Sequence, residues 1–318
     1  MIQKMKKSFI SLSCILALSL QEGVLHSVYA SEVATDNGTP LASASEQYEL
    51  SNTEKIVSAS PIPGFEWRHH TLHSLSPCSF ESGAQRYLIF LEKNQCPEGW
   101  NRDDFLSLKN DIIDLFIKNR IRINDLATQL LSVIDNTEHY IVWRDYCIQK
   151  LSSLIASGRL GPENEREAIS KLDRYTAGEA LGLTGTALIS AVKLIKNSDN
   201  ALLVSQHLNQ NTLAEYAFKC ASSEEEQYID RITALQIAAE LEHPEVAAYT
   251  RSILDSRNSD VPVMFKVSSI AALGRTGSSA DIPLLTSYRN SPDIRIRKAT
   301  RHSMHRIYNN SILTTKLL

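Results

Sequence analysis

FKVSSIAALGRTGSSADIPLLTSYRNSPDIRIRKATRHSMHRI, residues 265–307, decides the fold class. It reads as a helix, a glycine-containing turn, a second helix opening near Ile282-Pro283, a turn at Ser291-Pro292-Asp293, and a third helix like the first. Phe265-Lys266 and Ile296-Arg297 occupy equivalent places 31 residues apart, and Leu273 and Met304 repeat the interval. Upstream, DRITALQIAAELEHPEVAAYTRSIL gives a weaker copy displaced by about 35 residues, a period that marks stacked helix pairs.

Working outward, helical periods run back to Asn101 with no sustained strand alternation. DDFLSLKNDIIDLFIKN carries acidic residues in its first turn and apolar residues at 105, 108, 112, 115 and 116, one stripe of a helix. Asn124 is suited to cap a helix bearing Leu126, Leu130, Leu131 and Ile134. Another helix runs through Val142, Tyr146 and Leu151 to a stop at Gly158, and Pro162 fits the first turn of the next. Further helices are expected over 186–196, 199–209, 213–221, 224–241, 244–256, 263–273, 280–289 and 293–308, joined by short turns rich in Asn, Ser, Asp, Gly and Pro.

The repeat resembles the short HEAT-like repeats also found in phycobilisome lyases, which alternate a helix of the type apolar-Arg-x-x-Ala-x-x-Ala-Leu-Gly with one opening around Ile-Pro-x-Leu. Lys266, Ala272, Leu273 and Gly274 match the first helix, Ile282, Pro283, Leu284 and Leu285 the second, and Arg297, Ala299 and Met304 the next copy. Lys266 replaces the usual Arg and Met304 the usual Leu. The match is clear over 260–308, loose over 125–255 and absent before 120. It implies an all-α chain, an α-solenoid of HEAT-like helix hairpins. It implies no chemistry, because such small and apolar residues serve stacking.

The other end reads as an address. Lys4, Lys6 and Lys7 precede an uncharged run, Ser8–Leu20, and Val28-Tyr29-Ala30 places compact residues before Ser31, so residues 1–30 are expected to be a cleavable secretory signal. The expected location is periplasmic or extracellular. The apolar run is too short for a membrane span, as is Ala180–Val192 with its Gly182 and Gly185. Loss of the signal leaves 30 basic and 35 acidic side chains, which gives no global attraction to nucleic acid or anionic lipid. Residues 31–60 are poor in apolar groups and are expected to form a flexible leader.

Residues 61–120 are expected to be a small irregular subdomain ahead of the helical repeats of 121–310 and a tail at 311–318. The stretch 61–100 gathers aromatic residues, four prolines, Cys78 and Cys96. In an oxidising compartment Cys78 and Cys96 are the candidate disulfide, whereas Cys147 and Cys220 sit at helical spacing among apolar residues and read as buried thiols. Within this stretch, residues 85–91 fit a strand or a short helix.

His69, His70 and His73 lie near both cysteines, but the spacing matches no standard zinc arrangement, so a loop with a disulfide is expected and no metal or other cofactor. His243-Pro244-Glu245 is more simply a helix start than part of an iron site, and no phosphate loop, serine elbow or catalytic set appears. Charge is more informative. Glu215–Glu245 carries eight acidic residues against two basic, and Arg289–Arg306 carries six basic residues against Asp293. In the resembled repeats the helix equivalent to 296–307 lines the concave face, which makes Lys266, Arg297, Arg301 and His305 candidate partner contacts for acidic groups or phosphate. The expectation is an exported, non-enzymatic interaction scaffold with a protein partner and a candidate anionic ligand at the basic helix. The alternative is an enzyme or enzyme accessory with a His/Cys site within 61–120.

Overall fold

The structure, a computed structural model, describes residues 52–180, 182–197, 201–255 and 261–317. The signal and most of the leader lie outside these residues. All regular structure in the described residues is helical: α1 (52–57), α2 (Phe65–Ser74), α3 (Pro77–Ser82), α4 (Ala84–Glu92), α5 (Arg102–Asn119), α6 (Ile123–Asp135), α7 (Ile141–Ala156), α8 (Pro162–Thr176), α9 (Thr184–Asn197), α10 (Ala201–His207), α11 (Gln210–Ser222), α12 (Tyr228–Glu240), α13 (Val246–Asp255), α14 (Val263–Thr276), α15 (Ile282–Ser287) and α16 (Ile294–Leu317). None is long and apolar enough to cross a membrane. The chain divides into two compact units, one ending at Lys171 and one beginning at Leu172.

In the first unit α2 packs on α5, α4 on α6, and α7 on both α5 and α6. Asn101 starts α5 by accepting from the amides of Asp103 and Asp104, whose carboxylates suit the positive end of the helix. The expected stripe is buried: Phe105, Leu108, Ile112, Leu115 and Phe116. Two expectations change here and one open alternative is resolved. Residues 61–100 are not irregular, because α2, α3 and α4 fill most of them, and the ambiguous run 85–91 is helix. Ser76 caps α3 with Pro77 in its first turn. The leader is packed from its last part onward, with Ile56 and Thr53 buried.

The helix through Val142 buries Trp143, Cys147, Ile148 and Leu151; of the expected positions Leu151 is buried, Tyr146 half-buried and Val142 exposed.

Cys78 and Cys96 are free thiols and not a disulfide. Between them lies α4, nine residues and about 13 Å of rigid helix where a pliable loop was expected. Cys78 is exposed on α3, and Cys96 offers its thiol to the Trp100 carbonyl at 3.6 Å. Cys147 and Cys220 are buried, as their apolar spacing predicts.

In the second unit α12, α14 and α16 pack in succession, with α11 and α13 against this row. Its apolar core joins Leu254, Ile270, Leu273, Leu285, Ile296, Ala299 and Ile307. α16 continues to Leu317, so no separate tail begins at 311.

Several hydrogen bonds between helices join residues 30 to 37 apart, while others, such as those of Asp230 with Gly185 and Glu240 with Lys196, span 45 and 44. In the second unit Gln236 Nε2 donates to the Ser268 carbonyl (2.7 Å, 32 residues apart), Ser303 Oγ to the Ile270 carbonyl (2.8 Å, 33) and the Tyr288 hydroxyl to the Leu254 carbonyl (2.6 Å, 34). Arg251 grips Asp281 with two nitrogens, 30 residues on. In the first unit the pairs between α6 and α8, and one between α5 and α7, join residues 36 or 37 apart. Asn164 donates to Thr128 (36 apart), Lys171 pairs with Asp135 (36), Lys150 with Asp114 (36), and the Gly161 amide donates to Asn124 Oδ1 at 2.8 Å (37). Asn124 therefore does not cap α6, which begins at Ile123 with Arg122 at its cap. It holds the turn before α8 instead.

Candidate functional site

Two polar centres organise the first unit. Arg68, on the buried face of α2, donates from Nε to the Pro63 carbonyl at 2.7 Å, from Nη1 to the carbonyls of Lys55 and Ile56, each at 2.5 Å, and from Nη2 to that of Ser60 at 2.6 Å. Its guanidinium lies 4.2 Å from the Trp100 ring centre, and burial pulls its pKa down to about 10. One side chain thus ties 55–63 to α2, and that segment is held in place for that reason.

Lys109, fully buried on α5, donates to the carbonyls of Leu91 and Lys93 at 3.0 and 2.5 Å, closing the end of α4 between the rings of Phe105 and Trp143. Burial pushes its pKa down to about 7. An unfolded lysine near 10.5 then holds a proton that the folded one has lost, so this group makes stability rise with pH between about 7 and 10.5. Below that window its penalty is fully present. The expected slope approaches about 1.4 kcal/mol per pH unit, and Lys109→Met removes it; urea unfolding of both chains at pH 7 and pH 9 checks this. Equal slopes would show that Lys109 keeps its proton.

On the far side of α2, His69 and His73 lie four residues apart, on one helix face. Asp111 of α5 meets both: His69 Nδ1 is 2.7 Å from Oδ2, and His73 Nε2 is 3.7 Å from Oδ1. The two imidazole centres are 4.5 Å apart, and one ligand atom from each of the three residues falls within 4.8 Å of the others. The histidines are about half exposed and Asp111 is about a fifth exposed. His70, about 100° further round the helix, takes no part, and neither cysteine does. Of the residues gathered by sequence, two belong to this cluster. Asp111 was missed because its choice of partner depends on how α2 lies on α5.

In the second unit Arg297, Arg301 and His305 share one face of α16 at four-residue spacing. Arg297 is committed inward, donating to the carbonyls of Ser291 and Pro292 at 2.7 and 2.9 Å. Arg301 and His305 are exposed, with His305 Nδ1 3.2 Å from Asn309 Nδ2. Lys266 is half-buried one repeat earlier. The acidic stretch is partly consumed within the fold: Asp230 is buried and accepts from the Gly185 amide at 3.0 Å, and Glu240 pairs with Lys196. His243 is buried on the ring of Phe218, centroids 4.3 Å apart, and Pro244 stands just before α13.

The same unit exposes an apolar edge that composition does not reveal. Tyr228 and Ile229 open α12, Val263 opens α14 and Ile294 opens α16, with exposures of 48, 51, 36 and 55%. Each stands in the first turn of its helix, and these three alternate helices pack in succession. Comparison with protein-family models, curated proteins and solved structures finds no match.

Proposed function

We propose that the chain is a helical-repeat scaffold of the α-solenoid type, acting outside the cytoplasm after loss of residues 1–30, that binds a protein partner along its C-terminal repeats. The observation that carries this reading is the set of half-exposed apolar residues Ile229, Val263 and Ile294, each in the first turn of one of three helices that pack in succession. A monomer has no folding reason to keep large apolar side chains at one end of three successive helices, whereas stacked repeats present extended binding surfaces. Arg301 and His305 on α16 supply donors for acidic groups on that partner.

A photo-crosslinking amino acid placed at Val263, Ile294 or Arg301 is expected to give discrete adducts in the native envelope, weakened by Arg301→Glu. At Thr286, exposed on α15, it is expected to give none. Equal adducts at all four positions, or none at any, would contradict the reading.

A further inference from the structure

We propose that His69, His73 and Asp111 form a binding site for one divalent transition-metal ion of the zinc class. Two imidazoles and one carboxylate are the donors that zinc, nickel and copper prefer, whereas calcium and magnesium take mainly oxygen. The distances suit such an ion. Metal–ligand bonds of about 2.0–2.2 Å put ligand atoms about 3.3 Å apart around a tetrahedron. The two His–Asp separations, 2.7 Å to Oδ2 and 3.7 Å to Oδ1, bracket that value, and with one atom from each residue within 4.8 Å of the others, side-chain rotations bring the set around one ion.

Both supporting helices are held in place beneath the ligands. α2 is anchored by buried Arg68 and Leu72, and Asp111 is followed by buried Ile112 and Ile113 on α5. The Phe65 ring lies 5.8 Å from the His69 ring. The paired spacing of His69 and His73 is the helical geometry that brings two imidazoles to one ion.

Three protein ligands on a half-exposed surface leave the remaining coordination position to water. An ion entering there replaces the His69–Asp111 hydrogen bond. Its coordination is open, unlike that of a closed structural site. The inference stands apart from the scaffold reading, since it concerns ion binding alone.

The test titrates the untagged full chain with ZnCl2 by calorimetry and with CoCl2 by visible absorption. One saturable ion per chain is expected, with cobalt bands of a nitrogen- and oxygen-ligated site. His73→Ala and Asp111→Asn should each weaken binding by at least about tenfold, and the pair of changes His69→Ala with His73→Ala should abolish it. His70→Ala, on the same helix, should leave affinity unchanged. The histidine variants alter half-exposed side chains, so their metal-free melts should match that of the parent. No saturable binding, or a loss with His70→Ala as large as with His73→Ala, would overturn the site.

Discussion

Replacing Arg68 by alanine is expected to lower the stability of the first unit by about 4 kcal/mol, enough to unfold much of it at physiological temperature. The guanidinium is 1% exposed and serves the carbonyls of Lys55, Ile56, Pro63 and Ser60. Trimming it strands these acceptors and removes the platform on which Trp100 lies; the Trp100 indole N–H also donates to the Ser60 carbonyl at 3.0 Å. Arg68→Lys retains a charge but offers one compact donor group for a fork of three nitrogens, and an intermediate loss is expected. All three tryptophans lie before Lys171, so fluorescence-detected urea unfolding reads this unit selectively. A loss below about 1 kcal/mol would mean that the buried fork is not what orders 55–63.

The second large effect is expected at Gly274, and its sign separates two physical effects. A methyl group there would lie 2.4 Å from Ser303 Cβ and 2.6 Å from Ser303 Cα. Helix propensity alone favours alanine over glycine by about 1 kcal/mol inside α14. Packing opposes it, because α16 lies directly against this point and Ser303 Cα is backbone, which cannot turn aside as a side chain can. Gly274→Ala is therefore expected to destabilise the second unit by about 2–3 kcal/mol, a fall in melting temperature of roughly 6–12 °C by circular dichroism. Adding Ser303→Gly should recover part of the loss. A melting point that rises with Gly274→Ala would show that α14 and α16 do not approach this closely.

These two positions also show how unevenly the sequence discloses the molecule. Gly274 belongs to the legible repeat, and the helices expected at 263–273 and 293–308 appear as Val263–Thr276 and Ile294–Leu317. The apolar period there is regular because every third or fourth side chain meets a neighbouring helix. Arg68 was not legible. It sits between Trp67 and His69 in a stretch dense with aromatic residues and prolines, and nothing local shows that its charge turns inward to distant carbonyls.

The same limit hid the pairing of α6 with α8 in the first unit. There the interval of about 36 residues is kept by polar pairs of changing type, Asn164 with Thr128 and Lys171 with Asp135, and not by matching apolar residues. Identity varies while position is retained, so a search for similar letters finds little. The metal-binding candidates divided in the same way. His69 and His73 were gathered with His70 and the cysteines but expected to hold no metal, whereas Asp111 is one of four acidic residues on α5 and becomes distinct only through its contact with α2.

The central claim for the first unit is that α6 and α8 lie side by side with residues about 36 apart in the sequence facing one another. Paired cysteines at Thr128 and Asn164, introduced in a chain with Cys78→Ser, test it directly, because these side chains touch at 3.5 Å across 36 residues. Rapid, near-complete disulfide formation under mild oxidation is predicted for this pair in the folded protein, with no bond between cysteines at Thr128 and Lys171. Failure of the first pair to close, or closure of the second in its place, would contradict the account.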